Sequence, residues 1–225
     1  MYTETSPSAP RQAARHPIRE QIQLLILSGQ LRPGSKLVQQ ELARQFGVAQ
    51  GVVREALLEL QSFGLVETVD NRGMFVSEMN LAKLLESYDV REMHEGLAAR
   101  LCCDRVTRAQ VRELMETAEQ IYALGTESRP DEMGLLDREF HHRILEIGGN
   151  TMLLRLADNY RLLGKAVRAN RDPERVREEH VGILRAIEEG KPNEAEALMR
   201  QHIRMGKTAV QEQLAKGEFV PHWVE

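Results

Sequence analysis

Apolar residues recur at helical spacing along most of the chain and at strand-like spacing in one short stretch. Ile18, Ile22, Leu25 and Ile26 form one face of a first helix that opens at Pro17, a residue suited to a first helical turn, and stops at Gly29. The segment LRPGSKL reads as a turn with Pro33-Gly34 at its tip. Two closely spaced helices follow. Gln39 to Phe46 turns Leu42 and Phe46 inward, Gly47-Val48 makes the turn, and Gln50 to Phe63 carries the stripe Val53, Ala56, Leu57 and Leu60. Gly64 ends that helix. Leu65–Val69 and Met74–Ser77 then read as two strands joined by Asp70-Asn71-Arg72-Gly73, a hairpin with turn residues at its tip.

From Asn80, a capping residue, the pattern is helical to about Lys216. The breaks at Thr107, Gly125 to Pro130, Gly148-Gly149-Asn150, Asp172-Pro173 and Gly190-Lys191-Pro192 divide it into helices near 81–103, 107–125, 131–148, 151–170, 174–190 and 192–215. The expected fold is therefore mainly α. An N-terminal winged helix-turn-helix domain precedes a C-terminal all-helical antiparallel bundle of six helices. The expected divisions are a mobile tail over 1–15, the winged domain over 16–79, the bundle over 80–217 and a C-terminal tail over 218–225, with Trp223 docking on the bundle or on a partner.

Helix, turn, helix and hairpin is an order that suits double-stranded DNA. The second helix of the pair fits the major groove, and its first residues reach base edges. Gln50 can contact adenine bidentately, and Gly51 lies beside it. Arg54 suits guanine or a phosphate, Arg44 the backbone, and Arg72-Gly73 at the hairpin tip the minor groove, where a glycine permits close approach. Charge sharpens this picture. The 225 residues carry a net charge of −4, and Arg11 to Met79 holds eight Lys/Arg against seven Asp/Glu, so binding rests on a few well-placed cations instead of a broad basic field.

The bundle holds a second constellation. Asp137 and His141 are four residues apart, one helical turn on one face, beside the stripe Leu136, Phe140, Ile144 and Ile147. His180 lies on the stripe Val176, Ile183, Leu184 and Ile187, and His202 beside Leu198, Met199 and Met205. Each histidine taken singly fits a hydrogen-bonded core residue. The four groups together fit one divalent metal ion equally well. His142 points about 100° away from His141 on the same helix, and His16, His94 and His222 have no comparable setting. A metal held this way can activate water, so a metal-dependent hydrolase is an alternative, but no separate general base stands at a defined spacing.

Composition excludes some classes. Charged residues make up 28% and apolar ones 42%, ordinary for a globular chain, and aromatics only 4%. No apolar run reaches membrane-spanning length and no signal-peptide pattern opens the chain. Cys102 and Cys103 are adjacent, too close for an ordinary structural disulfide. A cytoplasmic protein is expected.

The stretch from Leu27 to Val76 resembles the DNA-binding domain of the GntR family of bacterial transcription regulators. It carries L-x-P-G-x-x-L, E-L-A-x-x-x-G-V, V-R-E-A-L-x-x-L, G-L-V and R-G-x-F-V in the family's order. The resemblance implies DNA contacts from Arg44, the start of the recognition helix, Arg54 and Gly73. One departure stands out. Where the family has Ser/Thr-Arg-Thr/Gly-Pro, this chain has Ala49-Gln50-Gly51-Val52, so a base-reading arginine and a capping hydroxyl are both replaced. DREFH, then EEHVGILRAIEEG, then the final-helix HI resemble the all-helical effector-binding domain (FCD) of the FadR-type branch, in a short form close to the VanR-like subgroup, and VREMHEGLAARL resembles its first helix, with Arg91 and Glu95 at frequent family positions.

What that resemblance implies is a sensor that is not an enzyme. Asp137, His141, His180 and His202 fill the metal positions, with zinc first and nickel or manganese as alternatives. A small carboxylate effector completes the coordination, and Arg91 pairs with a further carboxylate, in competition with a simple ion pair to a neighbouring glutamate. Asn159 is a weaker candidate for the same pocket. The expected function is an operator-binding regulator, with repression the favoured sign, that acts as a homodimer on a near-palindromic site. A regulator that answers to the metal alone is the second expectation.

Overall fold

The first helix owes its existence to a single apolar stripe. Ile18, Ile22 and Ile26 lie at i, i+4 and i+8 and are all buried. In the computed structural model, which describes residues 15–27, 29–62, 64–78, 81–164 and 171–218, this helix is α1, Arg15–Leu27. It starts two residues ahead of Pro17. Arg15, placed by expectation in the tail, is already helical, and residues 1–14 lie outside those described. The chain divides between residues 79 and 80 into two compact units.

In the first unit α1 packs on α3, Gln50–Ser62, which follows α2, Gln39–Phe46. Val53, Ala56, Leu57 and Leu60 of α3 are fully buried and form the heart of this unit. The turn between α2 and α3 is made by Gly47, whose left-handed φ of 65° lets its N–H close back on the last turn of α2. The wing consists of β2, Val66–Val69, and β3, Gly73–Val76, paired antiparallel with Val69 opposite Gly73. A third strand, β1, Lys36–Leu37, pairs with the other edge of β3, giving the order β1-β3-β2. That strand falls where a plain turn was expected. Two residues carry no readable period, and Lys36 and Leu37 are extended only because β3 supplies their partners, Phe75 and Met74.

The second unit contains α4 (Leu81–Cys102), α5 (Arg108–Thr126), α6 (Pro130–Gly148), α7 (Thr151–Gly164), α8 (Pro173–Glu188) and α9 (Pro192–Ala215). Prolines open α6, α8 and α9, where their missing N–H has no helical partner to lose. Thr107 caps α5 in a reciprocal box with Gln110. The expected continuation of α7 to residue 170 lies outside the described residues, as do Asn80 and the tail with Trp223 and His222. α4 packs along α9 and also meets α6, α7 and α8, while α5 lies against α6 and α8. The core runs between them through Leu84, Tyr88, Ala99, Leu114, Ile121, Phe140, Ile144, Ile183, Leu184 and Met199. Where α4 and α6 draw together, a methyl group on Gly148 would come within 3.0 Å of the Ala98 carbonyl oxygen, so the contact admits no side chain.

Candidate metal centre and nucleic-acid face

Three helices of the second unit bring Asp137, His141, His180 and His202 to one place. α6 carries the first two, one turn apart, α8 carries His180 and α9 carries His202. One ligand-type atom from each lies within 4.8 Å of those of all the others. The three imidazoles are buried and the Asp137 side chain is about a quarter exposed, at 28%. His202 Nε2 is 3.2 Å from His141 Nε2, His180 Nε2 is 3.4 Å from Asp137 Oδ1, and His141 Nε2 is 3.8 Å from Asp137 Oδ2. A tetrahedral metal with bonds of about 2.0–2.1 Å sets its ligand atoms roughly 3.3–3.4 Å apart.

The other ring nitrogens define which atoms face that point. His202 Nδ1 bonds Glu179 Oε2 at 2.7 Å. His141 Nδ1 lies 2.7 Å from Glu95 Oε2, off the line of a well-aligned hydrogen bond. A neutral imidazole that gives its Nδ1 proton to a carboxylate has a bare lone pair on Nε2. With both rings in that tautomer, two lone pairs face each other at 3.2 Å. Both nitrogens of fully buried His180 have no hydrogen-bond partner among the described residues, and its ring is held by stacking on Phe140, with centroids 4.3 Å apart. Orphaned buried nitrogens and opposed lone pairs are costly by themselves, and a divalent cation at their focus satisfies all of them. The residues present fit a metal.

Each carboxylate is held by an arginine. Arg91 Nε donates to Glu95 at 2.9 Å, and Arg171 Nη2 reaches both oxygens of Glu179 at 2.7 and 2.6 Å. Burial opposes the charge on Glu95, but Arg91 and His141 outweigh it and hold the carboxyl well below the usual carboxylate range. Glu179 is lowered in the same way, against burial, by His202 and Arg171. Burial, reinforced by the neighbouring imidazoles, pushes His180 far below its ordinary value. His202 is also lowered, by burial first, although its bond to Glu179 pulls the other way.

These two histidines imply a pH response of the metal-free protein. In the unfolded chain they take up protons as pH falls through about 6.5, and in the folded chain they do not. The unfolded state then binds more protons, so the stability they contribute above pH 6.5 is lost on acidification, at up to about 1.4 kcal/mol per pH unit for each group. Glu95 and Glu179 lose their contribution only at lower pH, as the folded protein passes through their depressed values. The melting temperature of chelator-treated protein should therefore fall between pH 7 and pH 5, and fall less in His180→Gln. A flat profile over that interval would contradict the buried, unprotonated histidines.

The remaining sequence candidates are placed as follows. His142 is part-exposed and 3.3 Å from Glu146, away from the cluster. His94 is half-buried on α4 and outside it. Asn159 lies in the part of α7 whose side chains are outside the description. Arg91, the effector candidate, is bound to Glu95 through Nε, with its guanidinium over the Tyr88 ring at 5.2 Å. That bond leaves its two terminal nitrogens outside it. Glu179, Arg171 and Tyr88 were not singled out from sequence, and Glu95 only by the resemblance of its helix, not as a partner of His141. Glu179 directly precedes His180, so on its own helix it points about 100° away, toward His202 on α9.

On the first unit, Arg44, Gln50, Gly51, Arg54, Arg72 and Gly73 are all exposed. Gln50, Gly51 and Arg54 occupy the first two turns of α3, exposed outside its buried stripe. Gln61, on the same outer face, is engaged by Thr68 Oγ1 at 3.0 Å and belongs to the junction with β2. At the wing tip Asn71 and Gly73 take left-handed φ values of 60° and 102°, and the Arg72 guanidinium sits 5.4 Å from the Phe75 ring centre. No described helix is long and apolar enough to cross a membrane.

Comparison with known proteins agrees with both units. Residues 15–76 match the model for bacterial regulatory proteins of the gntR family, and residues 86–205 match the FCD domain. The chain is 30% identical over 185 residues to the Nta operon transcriptional regulator of Aminobacter aminovorans, covering 80% of this chain and 86% of that one. It is 28% identical to the HTH-type transcriptional regulator LutR of Bacillus subtilis, covering 80% and 93%. Among solved structures, E. coli McbR/YncC shares the fold with a TM-score of 0.69 at 20% identity, over 89% of this chain and 98% of that one. The chain belongs to the gntR family of bacterial regulatory proteins: it is a DNA-binding transcriptional regulator, not an enzyme, and carries an FCD effector-binding domain.

Proposed function

We propose that the chain is a cytoplasmic repressor that binds a near-palindromic operator as a homodimer. A small carboxylate, bound at a divalent metal held by Asp137, His141, His180 and His202, releases it. The winged unit, 16–79, reads DNA through Arg44, Gln50, Gly51, Arg54, Arg72 and Gly73, and the bundle, 80–217, senses the effector. The observation that carries the reading is the pair of Nε2 atoms, on His141 and His202, facing each other at 3.2 Å beside the unpartnered buried nitrogens of His180. Three imidazoles and one carboxylate suit zinc first, with nickel or manganese as alternatives, and leave coordination positions for effector oxygens. The metal, when bound, supplies a Lewis-acid anchor for a carboxylate. The chain's own residues orient the ligand: the free terminal nitrogens of Arg91 suit a second carboxylate. Repression as the sign follows a relative of 28% identity described as a probable D-xylose utilization operon transcriptional repressor.

Effector control requires that the carboxylate prefer one arrangement of the regulator over the other, since equal affinity for both shifts nothing. The test is a titration of operator DNA with the zinc-loaded chain against a panel of sugar acids, hydroxy acids and dicarboxylates. One class should weaken DNA binding at least fivefold, and only with metal present. DNA affinity that follows metal concentration and ignores every carboxylate would replace this reading with a metal-responsive regulator.

A further inference from the structure

The metal-facing histidines are not equally supported, and the difference is systematic. His141 and His202 each have Nδ1 at 2.7 Å from a carboxylate, in a hydrogen bond for His202 and in an ion-pair contact off the hydrogen-bond line for His141, and each carboxylate is bound by an arginine. The two sets are Arg91–Glu95–His141 and Arg171–Glu179–His202. They are built from different elements: α4 with α6 in the first, and the residue two before α8, α8 itself and α9 in the second. Among the described residues His180 has no carboxylate at Nδ1; its Nε2 lies 3.4 Å from Asp137 and its ring rests on Phe140. Glu95 is almost wholly buried, at 2%, so its charge is retained there at a cost that packing alone does not explain.

We infer that Glu95 and Glu179 are positioning residues that set the ring orientation and proton position of His141 and His202, with Arg91 and Arg171 as the clamps that fix the two carboxylates. The proposal rests on the metal-centre reading above and goes beyond it by assigning four residues outside the ligand set. The physical reason is a choice between tautomers. An imidazole can carry its proton on either nitrogen, and only the Nδ1–H form presents Nε2 as a donor to a cation. A carboxylate at Nδ1 selects that form, stops the ring from rotating, and makes Nε2 more basic. The arginine in turn keeps the carboxylate charged inside the bundle and aimed at the ring. Arg91 thereby has a structural task in the centre whether or not its terminal nitrogens meet an effector. His180, with no carboxylate at Nδ1 among the described residues, is the ligand whose tautomer these sets leave open.

The experiment uses the full chain in wild-type, Glu95→Gln, Glu95→Ala, Glu179→Gln and Glu179→Ala forms. Long-range proton–nitrogen spectra of the histidine rings are recorded on metal-free protein, and zinc affinity is measured by competition with a chelating dye. In the wild type, His141 and His202 should show the Nδ1–H tautomer and His180 a mixture. Glu95→Ala should alter the tautomer of His141 and leave that of His202 unchanged, and Glu179→Ala the reverse. Zinc affinity should fall roughly 10- to 100-fold in each alanine variant. The glutamine variants, whose side-chain oxygen still accepts from Nδ1–H, should recover most of the wild-type tautomer and part of the affinity.

If Glu95→Ala strands Arg91 and the chain fails to fold, the Arg91→Met/Glu95→Gln double variant removes both charges together and is read for the same His141 signals. Unchanged tautomers and affinities in both alanine variants would overturn the proposal while leaving the metal centre standing. A wild type that binds no zinc but keeps the two Nδ1–H tautomers would sink the metal reading and leave the positioning assignment intact.

Discussion

Zinc should raise the melting temperature of the wild-type chain by roughly 8–16 °C, and of His202→Ala hardly at all. The magnitude follows from linkage. A ligand at a thousand times its dissociation constant, bound only by the folded state, stabilises it by about 4 kcal/mol. A unit of about 150 residues gains roughly 2–4 °C for each kcal/mol. His202 is one of four donors, so its loss leaves an incomplete set. It also removes the imidazole partner of Glu179, whose carboxylate is then left to Arg171 and, at 3.7 Å, Arg175. The loss of metal binding therefore exceeds that of one donor atom. Thermal denaturation with and without added zinc, paired with elemental analysis of protein prepared without chelator, checks the result. About one divalent ion per wild-type chain and none in His202→Ala or His180→Ala is expected. An undiminished thermal response in either variant would remove that histidine from the centre.

How much of this centre was legible beforehand depends on the distance along the chain that each contact spans. Asp137 and His141 are one turn apart on one helix, and helical period alone puts them side by side. His180 and His202 could be read because each interrupts an apolar stripe, where an imidazole needs a partner. The contacts of Glu95 and Glu179 with those rings could not. Glu95 meets a histidine 46 residues away and Glu179 one 23 residues away, and no periodicity within a helix reports a contact between helices. Arg91 was read as pocket or ion pair, and the Glu95 bond, made through Nε, is the ion pair. The same contrast holds in the winged unit. The stripe Val53, Ala56, Leu57 and Leu60 was readable because a helix repeats its face. β1 was missed because a strand of two residues exists only through its pairing with β3. Gln61 shares the arc of Gln50 and Arg54 on α3, and its bond to Thr68 ties it to the wing.

Gln50→Arg should tighten binding to a half-site containing guanine by roughly 5- to 150-fold and move the preferred base from adenine to guanine. Gln50 opens α3 and is exposed, on the flank of the buried stripe, so a longer side chain there reaches solvent without displacing the core. An amide matches the N6/N7 edge of adenine, while a guanidinium matches O6/N7 of guanine with two charge-assisted bonds, a difference of about 1–3 kcal/mol. The opposing term is small. A cation in the first turn of a helix faces the positive end of the helix dipole, which costs about 0.3–1 kcal/mol at an exposed site. Base recognition therefore wins. Selection from randomised duplexes gives the preference, and titration at two salt concentrations gives its origin. If the new arginine reads a base, the salt dependence stays as it is. If it only neutralises a phosphate, the slope of log affinity against log salt steepens by about 0.9 and the preference does not move. Unchanged affinity together with an unchanged preference would mean that position 50 does not face DNA, and that Arg54 and the wing carry recognition without it.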